Sequence, residues 1–357
     1  MNFVNYVFVG TKLPKYALSA IKLAQISSGM EIHLIANHQI KSSVKSLNVR
    51  FTNIEDFYNP AEFNEVKRKI IYSNSFRDGF WHKTLERFFV IDQYLRYSGN
   101  NKFFHAELDQ ILFRTDKLVS AIEKTEFIGV FFPFHTSTHG CASIFYCNDP
   151  LTVRDFLEFT LKSEVLTSDM LLLADWSHEQ SQKVFALPTI ASEIKSTAFS
   201  QKLESVILKA DQLDGIVDAA QLGQWIGGED PRNIPLIRKP TNKYSEIEAL
   251  DILSAAELGE LRFELGRDQT LKIQFKDGSE TNIYNLHLHS KIHYWLLKSK
   301  ANLPKLIQFT NQAQFVTLPT TRKIQILYLL DTAFRSILKD PVGVIHRRLR
   351  AISNLFR

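Results

Sequence analysis

FFHAELDQILFR, residues 103–114, carries an apolar run into Glu107-Leu108-Asp109 and resumes at once as a second apolar run. An apolar stretch of this length ending in acidic residues reads as a buried strand, Lys102–Asp109, whose carboxyl end emerges from a core. In open α/β sheets ligands bind in the crevice beyond the carboxyl ends of the strands, so Glu107 and Asp109 are placed to project into it. Residues two apart on a strand share a face, and the pair together could hold one hard cation. A solvated strand end is the plainer alternative.

Outward from this stretch, strands and helices alternate. Phe3–Val9, Glu31–Ala36, Phe127–Phe132 and Ala142–Tyr146 have the composition of strands. Leu18–Ile26, Pro60–Ile71, Phe80–Tyr97 and Leu151–Leu161 read as helices, the third from apolar residues near helical spacing and the last introduced by Asp149-Pro150. Alternation of this kind predicts an α/β fold around a mostly parallel, doubly wound sheet. Beyond Leu187-Pro188 the pattern loosens. Gly223–Asp230 and Pro235–Tyr244 read as loop and connector, and Leu261–Phe275, Lys276-Asp277-Gly278 and Thr281–His289 as a hairpin with a last strand. From Leu306 the chain reads as helical. The expected division is a catalytic unit over 1–300 and a helical C-terminal extension over 301–357.

Composition excludes several classes. With 45% hydrophobic and 23% charged residues, the 357-residue chain is neither collagen-like, disordered nor of low complexity. Its net charge of +5 is local: residues 335–357 hold six Lys and Arg against Asp340, leaving the remainder neutral. Basic residues gathered in one tail without interleaved aromatic platforms argue against a nucleic-acid binder. Cys141 and Cys147 form neither a disulfide framework nor a zinc pair, which points to a reducing, cytoplasmic setting. The N-terminal stretch lacks the charge and apolar pattern of a signal peptide, and no apolar run is long enough to span a bilayer.

Three further stretches carry candidate chemistry. In NLHLHSK, residues 285–291, His287, His289 and Lys291 alternate and share one face of an extended chain. Imidazole suits Mn²⁺-class ions and an ammonium suits phosphate. Structural histidines at a polar strand end are the alternative. DGIVDAAQLGQWIGGEDPR, residues 214–232, offers the carboxylate Asp218 and, at Gly227-Gly228, backbone able to approach a ligand closely. A helix with a glycine cap explains the same letters. In TSDMLLLADW, residues 167–176, Ser168-Asp169 has the look of a helix N-terminus. Arg87, on the helix before the acidic strand, is either a phosphate contact or the partner of Glu86 or Asp92.

The order of these motifs resembles glycosyltransferases of the GT-A fold, of the bacterial and viral polysaccharide type, over roughly residues 1–295. Glu107-Leu108-Asp109 looks like a degenerate D-x-D, with Glu107 in place of the first Asp. Gly140–Asn148 is similar to the strand that follows, and the stretches around Asp218, Gly228 and Lys291 look like signatures of that type. The resemblance implies a nucleoside-diphosphate-sugar donor such as a UDP-sugar, a glycan or lipid-linked acceptor, and a divalent metal, Mn²⁺ or Mg²⁺. It implies Asp109 and His287 as metal ligands and Arg87, Glu107, Gly228 and Lys291 at the donor. Asp169 and Asp218 are the implied catalytic carboxylates. A nucleotidyl- or phosphotransferase, or an inactive sugar-nucleotide binder, would use similar residues. The tail places Val344, Ile345, Leu349, Ile352, Leu355 and Phe356 in one helical arc with Arg347, Arg350 and Arg357 opposite. Such a helix would either lie on an anionic membrane at its inner face or dock on the body.

Overall fold

The computed structural model describes residues 3–72, 79–194, 206–223 and 261–288. In chain order the main elements begin with strand β1 (Phe3–Phe8), helix α1 (Lys15–Ser27), β2 (Glu31–Ala36), β3 (Arg50–Asn53), α2 (Ala61–Lys67) and α3 (Phe80–Ser98). Next come β4 (Phe103–Ala106), β5 (Gln110–Leu112), α4 (Thr115–Lys124), β6 (Val130–Thr136), β7 (His139–Gly140) and β8 (Ile144–Cys147). Helices α5 (Pro150–Lys162) and α6 (Asp169–Glu179) lead to β9 (Val184–Leu187) and β10 (Val206–Ile207). The last four strands are β11 (Arg262–Leu265), β12 (Leu271–Gln274), β13 (Glu280–Ile283) and β14 (Asn285–His287).

The central sheet runs β10-β9-β6-β8-β4-β1-β2-β3, with β7 paired to β6. Every neighbour along that order is parallel except around β8, which runs antiparallel to both β4 and β6. The chain winds outward from β1 through β2 to β3 and then returns to the other side of β1 as β4. That reversal is a topological switch point, where a crevice opens beyond the strand ends. The result is a mixed α/β fold with a mostly parallel central sheet and flanking helices. The boundary expected near residue 300, and all of the 301–357 extension, lie outside the described residues.

Burial on both faces explains why the strands read as apolar runs rather than as alternation. Along β6, Val130, Phe132 and Phe134 enter one core, with Phe88, Phe156 and Trp176 of the helices α3, α5 and α6. Phe131 enters the opposite core, beneath Ala17 and Ile21 of α1 and Leu118 of α4. Helix ends follow local chemistry. Gly99 closes α3 in a left-handed conformation at φ 67°, and Asp149 caps α5, accepting from the Leu151 N–H with Pro150 in the first turn.

The structure redraws several expected boundaries. Glu107 and Asp109 sit in a turn after β4, which ends at Ala106. Leu261–Phe275 is two strands, β11 and β12, folded back on each other through Gly266–Thr270. The edge strand β3 has no fully buried residue and too short an apolar run to stand out in the sequence, whereas helix α4 does carry Leu118, Val119 and Ile122 at helical spacing.

Candidate active site and metal centre

Beyond the end of β4 the chain makes a tight turn in which the Gln110 N–H donates to the Glu107 carbonyl at 3.1 Å. The Glu107 N–H meanwhile donates to the Ser143 carbonyl at 2.9 Å, which fixes the turn to the approach of β8. Leaving the turn as β5, the chain pairs antiparallel with β14, with Gln110 opposite His287. The Leu288 N–H closes the ribbon on the Asp109 carbonyl at 3.2 Å. Residues 180 positions apart in sequence are thereby brought together. The turn and this pairing, rather than strand alternation, make Glu107, Asp109 and His287 converge.

One ligand atom from each of the three lies within 4.8 Å of the others. His287 Nε2 is 3.4 Å from Asp109 Oδ1 and 3.6 Å from Glu107 Oε2. Its Nδ1 lies 3.1 Å from the Ala219 carbonyl, which can only accept. That bond keeps a proton on Nδ1 and aims Nε2 at the carboxylates, the orientation from which an imidazole ligates a metal once the ion replaces the Nε2 proton. Burial works against a charged His287, but the Asp109 carboxylate outweighs it and raises the ring well above its ordinary value. Two carboxylates and one imidazole fit a divalent ion of the Mn²⁺ class.

Arg87 lies beneath this group. The structure does not give it the surface pairing with Glu86 or Asp92: Glu86 accepts from the Tyr58 hydroxyl, and Asp92 pairs with Arg96 and Arg154. Buried at 6% exposure, its guanidinium donates to Glu107 at 2.5 Å and to Asp169 at 3.0 Å. It also approaches His105 Nε2 at 3.4 Å. His105 Nδ1 donates to the Asn5 carbonyl at 2.9 Å, so Nε2 is the acceptor. Burial, then Arg87 itself, holds His105 neutral, well below its usual range. Asp169 opens α6, where the Ser168 hydroxyl caps the helix by accepting from the Leu171 N–H at 3.3 Å. Capping and an inward carboxylate therefore coexist at this one helix end. Burial raises the Asp169 carboxyl against the opposing pull of Arg87.

Asp218 is occupied by main-chain donors. Its two oxygens accept the Leu222 N–H at 3.1 Å and the Gly223 and His287 N–H groups at 2.9 Å each. A buried carboxylate engaged by three main-chain donors ties the 218–223 segment to β14, and so positions His287. The backbone of Gly223 approaches the His287 carbonyl so closely that a Cβ there would overlap it. Gly228 and Lys291 lie outside the described residues, as do His289 and the tail.

Four side chains near the cluster had gone unremarked. Gln110 Nε2, His135 Nδ1, Ser143 Oγ and both amide atoms of Gln221 are buried without a hydrogen-bond partner among the described residues. Gln110 is fully buried, its Oε1 accepting from Asn285 Nδ2 at 2.6 Å. Unsatisfied buried polar atoms are rare and call for an explanation. Gln221 stood in the AAQLGQW stretch, where an unpaired amide cannot be told from a helical surface residue by its letters.

No protein-family model matches the chain, and no curated protein matches it. Solved structures similar to it include mouse xyloside xylosyltransferase 1 in its apo form, at 8% identity, TM-score 0.37, covering 56% of this chain and 91% of that one. An active-site mutant of LgtC aligns at 10% identity and TM-score 0.38 over 58% of this chain and 84% of that one. The glycosyltransferase GlyE of Streptococcus pneumoniae TIGR4 aligns at 12% identity and TM-score 0.34, over 56% of this chain and 50% of that one. Among the described residues no helix is long and apolar enough to cross a membrane.

Proposed function

We propose that this chain is a glycosyltransferase that moves a sugar from a nucleoside-diphosphate-sugar donor, a UDP-sugar first among them, to a hydroxyl of a glycan or lipid-linked acceptor in surface polysaccharide synthesis. The observation that carries the reading is the convergence of Glu107, Asp109 and His287 beyond the carboxyl end of β4, at the switch point of the sheet.

Asp109 and His287 would hold a divalent ion, Mn²⁺ or Mg²⁺, with Glu107 completing the group. When bound, the ion neutralises charge that grows on the diphosphate as the glycosidic bond breaks. Arg87 fixes the direction of Glu107 and Asp169, and its charge opposes the effect of burial on the Asp169 carboxyl. Asp169 is then the carboxylate available to an oxocarbenium-like sugar or to the acceptor hydroxyl. Gly228 and Lys291 complete the donor contacts in this proposal. The basic segment 335–357 would bring the enzyme to an anionic membrane where a lipid-linked acceptor resides, seen as salt-sensitive binding of the full chain to anionic but not neutral vesicles.

The test is a donor panel with and without Mn²⁺, scored for released nucleoside diphosphate. The expected result is Mn²⁺-dependent turnover, lowered by about a hundredfold or more in Asp109→Ala with its thermal unfolding unchanged. Wild-type turnover by a folded Asp109→Ala protein rejects the site. Pyrophosphate as the product instead identifies a nucleotidyltransferase.

A further inference from the structure

A cavity lies away from this site. About 880 Å³ in volume, it opens between the C-terminal end of α3 and the β1, β2 and β3 strands. Its charged lining is Lys41, Arg50 and Lys102 against the carboxylate Asp56, with Lys102 already paired to Glu123 at 2.8 Å and His38 beside Glu55. Asn53, Asn100 and Asn101 supply amides, each able to donate and to accept. Tyr97 is 60% exposed and stacks on Phe57 with ring centroids 5.3 Å apart, so one face of a fixed ring remains toward solvent.

The floor is already saturated. His33, 1% exposed, bonds Asn5 Oδ1 through Nδ1 at 2.8 Å and Thr52 Oγ1 through Nε2 at 2.9 Å. Ligand contacts must therefore come from the rim, where the Arg50 guanidinium is held over the Phe3 ring at 5.3 Å. A rim of amides, one stacked tyrosine and excess cations matches a pyranose chain that carries carboxylates. Ring C–H faces would pack on Tyr97, hydroxyls would pair with amides, and carboxylates would meet Arg50 and Lys41.

We propose that this cavity is a binding site for an acidic oligosaccharide, separate from the Glu107–Asp109–His287 group. The proposal does not depend on the transfer reaction, since binding is measured without donor or metal. The experiment titrates the full chain with a hyaluronan hexasaccharide, with neutral maltohexaose and with inorganic phosphate. Amide shifts are followed by NMR and affinities by calorimetry.

The expected result is saturable hyaluronan binding with shifts confined to residues 50–53 and 97–101. Arg50→Ala and Tyr97→Ala should each weaken it about tenfold or more, with unchanged thermal unfolding. Maltohexaose should bind more weakly by a similar factor, and phosphate should fail to displace the hexasaccharide. No binding, or binding indifferent to both variants, overturns the site. Equal affinity for maltohexaose overturns its acidic specificity, and displacement by phosphate reduces it to a bare anion contact.

Discussion

Gly223 shows how one missing side chain can hold a site together. Its Cβ position is occupied by the backbone carbonyl of His287, and its own N–H donates to Asp218. Gly223→Ala must push the 218–223 segment and β14 apart, since a main-chain atom cannot rotate away as a side chain would. A loss of about 1–3 kcal/mol in urea unfolding is expected, together with weaker Mn²⁺ binding by calorimetry. Unchanged metal affinity would show that His287 is placed by something else. Arg87 makes the opposite argument, through charge. Asp169 is shielded from water while Glu107 stays 24% exposed, so Arg87→Met leaves uncompensated charge chiefly at Asp169, at a cost near the lower end of about 3–5 kcal/mol. Arg87→Lys should recover only part of this, because a single ammonium cannot span two carboxylates as the guanidinium fork does. Equal stability of the two variants would contradict that account.

At the scale of elements, the β5/β14 ribbon is the device that turns a sheet end into a site. Asn285 is its pin, fully buried, donating to Gln110 and the Asp218 carbonyl and accepting the Asp218 N–H. Asn285→Ala should cost about 1–3 kcal/mol for each group it leaves buried and unpaired, and should weaken Mn²⁺ binding with it. Asp149→Ala, which removes the α5 cap elsewhere in the fold, should cost about 1 kcal/mol and leave Mn²⁺ binding alone. If both variants affect the metal equally, the ribbon has no special part. The acidic end of β4 and the α3 helix were legible because each is signalled within one local run of residues. That His287 would meet Asp109 was legible only as a resemblance, since the pairing of Gln110 with His287 leaves no local mark. The bonds made by Asp218 are hidden in the sequence for the same reason. A carboxylate in a loop looks available until the three N–H groups that occupy it are seen.

Across the whole molecule, a polar row crosses the otherwise apolar sheet: Arg50, His33, Asn5 and His105 sit in register on β3, β2, β1 and β4. The apolar strand patterns announced the two cores, but this row could be read only once the register was known. It has a consequence for acid stability. Burial, aided by Arg50, lowers the His33 ring from its ordinary 6.5 to about 4. Below 6.5 the unfolded chain takes up a proton that the folded chain refuses until about 4. Stability is therefore fully present above pH 6.5 and is lost as the pH falls through that window. The loss from this one residue is on the order of 3 kcal/mol, taking 1.36 kcal/mol per unit. Buried His135, lowered to about 3, acts in the same direction and extends the decline further into acid. His33→Gln can still donate to Asn5 and accept from Thr52 but cannot titrate. Urea unfolding at a series of pH values should show the variant less stable than wild type near neutrality, having lost the ring packed against Tyr94 at 5.5 Å. The gap should narrow steadily toward pH 4 as wild type pays its protonation penalty and the variant does not. A gap that stays constant across the window would mean that His33 is protonated in the fold and that the row is no acid-sensitive element.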